Sequence, residues 1–240
     1  MNIPNQTASE THRLRLSFGG RLPRLCPGAW TRFIYYLFEP LWWSIWFRHG
    51  GSVHGRLPDC PFVLVANHSS YLDWLLHAVL RRCFGRKIRF LAKGKVVRNP
   101  LFRVLVRATE SIVVEETRKA RALPAAIQVF TSAKDLDKPI VGIFPEGTRS
   151  RNGEPLPAFA GAARIASRSA VAFVPVALVG FFEAWPSQSL LPRLKRRHLS
   201  IHFLSPLDCS AFPDDQAATD AAMTAIYEVV RQERAKRKTS

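Results

Sequence analysis

The chain has 240 residues, of which 47% are hydrophobic and 22% charged, a composition typical of one folded domain and unlike that of a disordered segment. Lys and Arg number 35 against 18 Asp and Glu, which gives a formal net charge of +17 at pH 7. Such a positive net charge favours anionic partners, namely nucleic acid, an anionic lipid surface or an acidic carrier protein. Charge alone does not choose among them, and a basic soluble protein with no such partner remains an alternative.

The four cysteines, at 26, 60, 83 and 209, show no C-x-x-C spacing and no nearby histidine that completes a zinc pattern. We therefore expect reduced thiols in a protein that faces the cytosol. The first 30 residues contain several arginines and prolines at 23 and 27 but no long apolar core, so we expect no signal peptide.

The most lipophilic stretch spans residues 33–47 and reads FIYYLFEPLWWSIWF. It is shorter than the roughly 20 apolar residues of a spanning helix, and Glu39 and Pro40 interrupt it. Its tryptophans and tyrosines favour the headgroup boundary of a bilayer. We expect two helices, broken at Pro40, that lie in one leaflet. A pair of core helices in a soluble fold is the alternative.

After residue 50, short apolar runs alternate with helical patterns. The apolar runs predict six strands, at residues 62–66, 88–92, 111–114, 140–144, 171–179 and 199–204. Apolar residues at helical spacing predict helices at residues 72–80, 118–131, 161–168 and 214–234. This alternation predicts an α/β fold, with a mostly parallel sheet flanked by helices. We divide the chain into an aromatic-rich helical hairpin at residues 1–50 and an α/β domain at residues 51–240.

The segment NHSSYLDW, residues 67–74, follows the first predicted strand, and the carboxyl ends of strands in such sheets are where sites form. His68 leaves the strand and Asp73 lies in the first turn of the next helix. The carboxylate can then hold one imidazole nitrogen and leave the other free as a base. The ordinary alternative is a loop histidine before a helix that Ser69 or Ser70 caps. A Ser–His hydrolase is a further alternative, although the chain has no G-x-S-x-G elbow.

The segment FPEGTRS, residues 144–150, follows the fourth predicted strand. Pro145 stops the strand and Gly147 permits a tight turn. Arg149 then presents a planar donor fork suited to phosphate, to which the hydroxyls of Thr148 and Ser150 add donors. A surface turn with a solvated arginine is the alternative.

These two segments in this order resemble the 1-acyl-glycerol-3-phosphate acyltransferase family, the glycerolipid acyltransferases of the H-x4-D type. Two further blocks agree in order and placement, KGKVVRNPLF at residues 93–102 and VPV at residues 174–176. The resemblance extends from about residue 60 to residue 180. One stretch departs from it, because the second block usually ends in Gly, a short strand and Arg. Here TESIVVEE at residues 109–116 lacks the glycine and ends in acids, with Arg118 as a candidate replacement.

The resemblance implies transfer of a fatty acyl group from acyl-CoA or acyl carrier protein to the hydroxyl of a lysophospholipid, first of all 1-acyl-glycerol-3-phosphate, which would give phosphatidate. It implies that His68 is the general base and that Asp73 orients it. The residues expected to bind substrate are Lys93, Glu146, Gly147, Thr148, Arg149 and Pro175. Apart from the acyl co-substrate, we expect no cofactor and no metal.

We further expect a membrane-associated protein, peripheral or monotopic, on the cytoplasmic face of an anionic membrane. The basic cluster of PRLKRRH, residues 192–198, is predicted to lie on a loop near that surface. Two other hypotheses remain open. A nucleic-acid-binding protein rests on charge alone, because no nucleic-acid-binding motif is recognisable, and we expect no nucleic-acid partner. The altered second block leaves room for an inactive lipid-binding relative or for another acceptor, such as an acyl amino-acid lipid.

Overall fold

The computed structural model describes residues 48–98, 109–115, 121–132, 138–193 and 198–237, together with residues 37, 40, 41, 43–46, 102, 103, 106 and 107. Most of the predicted hairpin at residues 1–50 lies outside these residues. Arg118 and residues 194–197 of the basic cluster also lie outside them. Within the described part of the chain, no helix combines the length and the apolar character needed to cross a membrane.

Seven strands form one sheet in the described residues. They are β1 (Ser52–His54), β2 (Phe62–Ala66), β3 (Ile88–Lys93), β4 (Ile112–Val114), β5 (Ile140–Ile143), β6 (Ala172–Val179) and β7 (Ser200–Phe203). Their spatial order is β1-β7-β6-β2-β5-β3-β4. Neighbouring strands are parallel except β6 and β7, which are antiparallel. All six strands expected from the sequence are present, and the α/β fold class with a mostly parallel sheet is confirmed.

Helices occupy the connections between strands. They are α1 (Leu75–Phe84), α2 (Ala122–Thr131), α3 (Gly161–Ser169), the short α4 (Phe181–Ala184) and α5 (Asp215–Lys236). A 3-10 turn at Tyr71–Trp74 precedes α1, so the helix predicted at 72–80 begins in that tighter form. Asp214 caps α5 by accepting a hydrogen bond from the peptide N–H of Ala217 at 2.7 Å. Pro124 stands in the first turn of α2, where its missing N–H has no helical partner to lose.

The core has two layers, one on each face of the sheet. Every residue of β2 is fully buried, because the strand lies in the middle of the sheet and both of its faces are covered. Phe62, Leu64 and Ala66 pack on the side of α1, whereas Val63 and Val65 pack on the side of α3 and α5. The apolar run ends at residue 66, so the first polar side chains that follow emerge at the carboxyl edge of the sheet.

Candidate functional site

The carboxyl ends of β2, β5 and β6 meet at one edge of the sheet because these three strands are parallel neighbours. Segment 67–74 leaves β2 at this edge, segment 144–150 leaves β5, and α4 with the loop after it leaves β6. The peptide N–H of Ser150 donates to the carbonyl of His68 at 2.7 Å. The structure therefore brings the two sequence motifs into direct contact.

His68 and Asp73 form a hydrogen-bonded pair. The imidazole Nδ1 lies 2.6 Å from Asp73 Oδ2, and the same oxygen accepts the peptide N–H groups of Ser69 and Ser70, each at 3.0 Å. The Asp73 side chain is only 1% exposed, whereas the imidazole is 17% exposed. Because Asp73 occupies Nδ1, the Nε2 atom is the ring nitrogen left to take a substrate proton.

Helix capping and the His68–Asp73 pair occur together rather than as alternatives. Ser70 is the cap of the turn at Tyr71–Trp74, and its hydroxyl accepts from the N–H of Leu72 at 3.0 Å. That hydroxyl also donates to the carbonyl of Trp185 at 2.6 Å. Both hydrogen-bonding functions of Ser70 are thus structural, which argues against its use as a hydrolase nucleophile.

Two neighbours fix the position of the imidazole ring. Phe144 stacks on the His68 ring, with centroids 4.2 Å apart and planes 16° apart. One residue earlier, the side-chain amide of Asn67 donates to the carbonyl of Leu178 at 3.0 Å and accepts its N–H at 2.8 Å. Asn67 therefore continues the β2–β6 ladder with its side chain and fixes the point where the loop leaves the sheet. Its role was not foreseen from the sequence.

The turn at 144–150 presents a donor-rich surface beside this pair. Gly147 has φ +62°, a backbone conformation that favours glycine, and a Cβ added there would lie 3.9 Å from Lys93 Nζ. The guanidinium of Arg149 lies over the ring of Tyr71 at 4.3 Å from its centroid. Thr148 is exposed. Lys93, Thr148 and Arg149 therefore lie on neighbouring segments at this edge.

Pro175 lies elsewhere in the fold. It is a buried residue inside β6, in register with Val65, and its carbonyl accepts the N–H of Leu204 at 3.0 Å. The structure therefore places it within the sheet and not among the side chains at the strand ends.

Glu146 points inward and is 3% exposed. Its Oε1 accepts the hydroxyl of Tyr227 at 2.7 Å and the peptide N–H of His68 at 3.3 Å. Burial raises the pKa of Glu146 to about 7, although these two hydrogen bonds act to lower it. Burial also raises the pKa of Tyr227, and the neighbouring Glu146 adds to the rise. Glu146 therefore fixes the backbone of His68.

Tyr227 was missed in the sequence analysis. It lies in α5, far along the chain, among the buried Met223, Ile226 and Val230. A tyrosine within an otherwise apolar helix face is itself a signal, because a buried phenol requires a hydrogen-bond partner. The sequence does not say which partner it is.

Three other histidines of the described residues lie on α1, β1 and β7. His77 is buried in α1, and burial lowers its pKa to about 3. The rings of His54 and His202 stack at 4.4 Å between β1 and β7, and burial lowers the pKa of His202 to about 4. His77 and His202 are therefore neutral at physiological pH, which fits a structural role.

Comparison with known protein families identifies the family of this chain. The model of the acyltransferase family matches residues 52–179, which is more than half of the chain and includes both motifs. The protein belongs to the acyltransferase family.

Two relatives and one solved structure show which proteins the chain is similar to. The chain is 25% identical to a 1-acyl-sn-glycerol-3-phosphate acyltransferase of Cocos nucifera over 154 residues, which cover 64% of this chain and 48% of that enzyme. It is 29% identical to a lyso-ornithine lipid O-acyltransferase of Brucella abortus over 163 residues, 59% of this chain and 58% of that one. The chain thus spans about half the length of the curated relatives it matches.

The fold resembles that of the 1-acyl-sn-glycerophosphate acyltransferase PlsC from Thermotoga maritima. The TM-score is 0.65 at 22% sequence identity, and the match covers 85% of this chain and 81% of that one. This similarity supports the architecture described above.

Proposed function

We propose that the protein transfers a fatty acyl group from acyl-CoA or acyl carrier protein to the hydroxyl of a lysophospholipid, with 1-acyl-glycerol-3-phosphate as the first acceptor to consider. The observation that carries this proposal is the 2.6 Å contact between His68 Nδ1 and Asp73 Oδ2, made beside the FPEGTRS turn. The plant relative, named as a 1-acyl-sn-glycerol-3-phosphate acyltransferase, supports the acceptor.

The reaction follows from the free nitrogen of the pair. The acceptor hydroxyl gives its proton to Nε2 of His68 while its oxygen attacks the thioester carbonyl, and Asp73 stabilises the imidazolium that forms. The tetrahedral intermediate then collapses, the C–S bond breaks, and the leaving thiolate takes the proton back from the imidazolium. The thioester is already activated, so the oxygen of the acceptor attacks directly and no covalent enzyme intermediate is needed.

Phosphate recognition is assigned to Arg149 and Lys93. Tyr71 holds the Arg149 guanidinium by a cation–π contact at 4.3 Å, and a stacked, half-buried guanidinium keeps its fork available to oxygen atoms. Lys93 is exposed at the end of β3, next to Gly147. Arg149 belongs to the turn and Lys93 lies beside it at the end of β3. This arrangement suits a phosphate group placed above the turn.

The direct test is acyl transfer from labelled acyl-CoA to lysophosphatidate by purified His68→Ala protein. We expect the rate to fall on the order of 100- to 10,000-fold because the general base is lost. His54→Ala is the matched control, since His54 lies on the outermost strand β1, with β7 and β6 between it and β2, and it should retain its activity. A nearly normal rate in the His68 variant would rule out the proposed mechanism.

A second acceptor class is favoured by Glu115. This exposed acid follows β4 directly, and its Cα lies 3.5 Å from a Cβ built on Gly94, next to Lys93. An acid in this segment, next to the end of β3, suits a headgroup that carries an amine. The Brucella relative, named as a lyso-ornithine lipid O-acyltransferase, is consistent with such an acceptor.

An acceptor screen separates the two classes. Lysophosphatidate, lysophosphatidylglycerol and lyso-ornithine lipid are compared with wild-type protein and with Glu115→Arg. If Glu115 selects an amine, its reversal should shift preference toward the phosphate acceptors by about two- to fivefold, the effect of one exposed ion pair of about 0.5–1 kcal/mol. Glu228→Arg makes the same charge change on an exposed position of α5. An equal shift in both variants would show a general field effect instead.

A further inference from the structure

The three most exposed large apolar side chains of the described residues lie on two segments that contact the turn at 144–150. Leu190 is 91% exposed, Leu191 is 70% exposed and Phe159 is 69% exposed. Single exposed leucines are ordinary on protein surfaces. Here all three border the edge of the sheet where His68 lies, and two are adjacent in sequence. We call them the apolar rim.

The loop that carries Leu190 and Leu191 is tied to the candidate site at several points. Its start, Trp185, accepts the hydroxyl of Ser70 at 2.6 Å. Ser187 donates to the carbonyl of Ser150 at 3.0 Å, and Gln188 donates to the carbonyl of Arg151 at 3.1 Å. The loop therefore abuts both catalytic segments.

The loop is also closed on itself. The N–H of Arg193 donates to the carbonyl of Ala184 at 2.8 Å, and the indole of Trp185 donates to the carbonyl of Ser189 at 3.1 Å. Ser189 in turn donates to the carbonyl of Leu191 at 2.7 Å. Leu190 and Leu191 are thus presented outward by a braced loop.

Phe159 reaches the same edge from a different segment. Its peptide N–H donates to the carbonyl of Pro145 at 3.0 Å, and its ring lies 3.6 Å from a Cβ built on Gly147. The turn at 144–150 therefore carries Phe159 near its start and the leucine loop at its end. Exposed apolar side chains stand at both ends of the segment that holds the acceptor-binding residues.

The charges around this rim identify the surface it fits. Exposed Lys93, Arg151 and Arg193 lie on the same segments or next to them, and the chain as a whole carries +17. Apolar side chains with cations on the same or adjacent segments match an anionic bilayer, in which leucine and phenylalanine enter the acyl boundary while Lys and Arg meet the headgroups. A protein partner of ordinary composition offers no comparable reason for these cations.

We propose that the apolar rim of Phe159, Leu190 and Leu191 inserts into an anionic lipid surface and holds the mouth of the His68 site at the lipid–water boundary. An acceptor lipid then reaches His68 by moving its headgroup a short way out of the bilayer, with its acyl chain still in lipid. This inference rests on the proposed function for its purpose, but the insertion itself is measurable without any acyl transfer.

The test uses the full chain and vesicles of phosphatidylcholine, with and without phosphatidylglycerol. A Leu190→Trp variant is mixed with vesicles that contain brominated lipid, and we expect the introduced indole to be quenched relative to wild-type protein. Quenching should be strongest with phosphatidylglycerol present. A control Val113→Trp variant, at an exposed position on the edge strand β4, should show no added quenching. The absence of added quenching at position 190 would overturn the proposal.

A second measurement tests whether insertion of the apolar rim helps a membrane-embedded acceptor to reach His68. The double variant Leu190→Ser with Leu191→Ser should transfer acyl groups to an acceptor embedded in vesicles at a rate on the order of 10- to 100-fold lower. Its rate on a short-chain acceptor dissolved as monomers should stay within about twofold of wild type. Equal losses on both acceptors would contradict a role in lipid access. Failure of the proposed function would instead appear as no transfer to either acceptor by wild-type protein, with the quenching result unaffected.

Discussion

Tyr227→Phe removes one hydroxyl from the buried contact between α5 and the turn after β5. That hydroxyl donates to Glu146 Oε1 at 2.7 Å, and the same carboxylate accepts the peptide N–H of His68. The nearby Asp73 charge and burial itself both raise the pKa of Glu146, whereas the Tyr227 hydroxyl lowers it. The phenyl ring of the variant keeps the packing and removes only the stabilisation of the ionised carboxylate. The pKa of Glu146 should therefore rise above about 7.

The size of this rise follows from the strength of the lost hydrogen bond. A hydrogen bond to a charged group contributes about 1.5–3 kcal/mol net, and one pKa unit corresponds to about 1.4 kcal/mol. The variant should thus titrate about 1 to 2 pH units above wild type. At neutral pH its Glu146 is mostly protonated, and a neutral carboxyl accepts the His68 N–H more weakly.

The same shift predicts how stability depends on pH. The pKa of Glu146 lies above its ordinary value of 4.5, so its contribution to the free energy of unfolding is present below pH 4.5 and is lost as the pH rises to about 7. In Tyr227→Phe this loss should continue to higher pH. Glu146→Gln should remove the dependence, because the amide does not titrate.

The assay is a carboxyl ¹³C NMR titration of protein labelled at glutamate, with Glu146→Gln to assign the signal. Tyr71→Phe serves as the matched control, since Tyr71 contacts Arg149 rather than Glu146, and its Glu146 should titrate as in wild type. A Glu146 pKa that is unchanged or lower in Tyr227→Phe would refute the reasoning. The lost hydroxyl would then not be what stabilises the carboxylate.

Three further substitutions test other contacts of the site. Asp73→Asn should lower kcat on the order of 1,000- to 10,000-fold, because the amide can donate to Nδ1 and so favours the wrong imidazole tautomer; steady-state kinetics measure this. Arg149→Lys should raise KM for lysophosphatidate about tenfold while kcat stays within threefold, because the stacked planar fork is lost. Asn67→Ala should lower the free energy of unfolding by about 2–4 kcal/mol in urea titrations, since it leaves both polar groups of Leu178 unpaired.

The sequence predicted the fold best where burial is continuous. The central strands are covered on both faces and appear in the sequence as uninterrupted apolar runs, so β2, β5 and β6 were foreseen. β1 was missed because Ser52–His54 has three half-buried residues and no apolar run. It is a strand because it pairs in parallel with β7 at the edge of the sheet. That pairing depends on the tertiary structure.

The contacts of the candidate site also differ in how far they could be predicted, because some join residues close in sequence and others join distant residues. His68 and Asp73 lie five residues apart across the start of a helix, so chain geometry allowed their contact, and the resemblance to the family favoured it. The contact between Glu146 and Tyr227 joins residues that lie 81 positions apart, and no local pattern encodes it. Pro175 was expected among the substrate-binding residues because of its place in a family block; the strand register puts it inside the sheet, and its role stays a prediction.

Three different groups of His68, its ring nitrogen, its peptide N–H and its carbonyl, form hydrogen bonds within the protein. Asp73 binds its ring nitrogen, Glu146 accepts its peptide N–H, and Ser150 donates to its carbonyl. Two of these three contacts come from the turn after β5, which also presents the cationic groups proposed to bind phosphate. A positioned base needs little reorganisation during the reaction, so its fixation acts on the chemical step. Changes at Glu146 or in the backbone of the 144–150 turn, which hold His68, should therefore lower kcat, whereas a change confined to the Arg149 side chain should act mainly on KM.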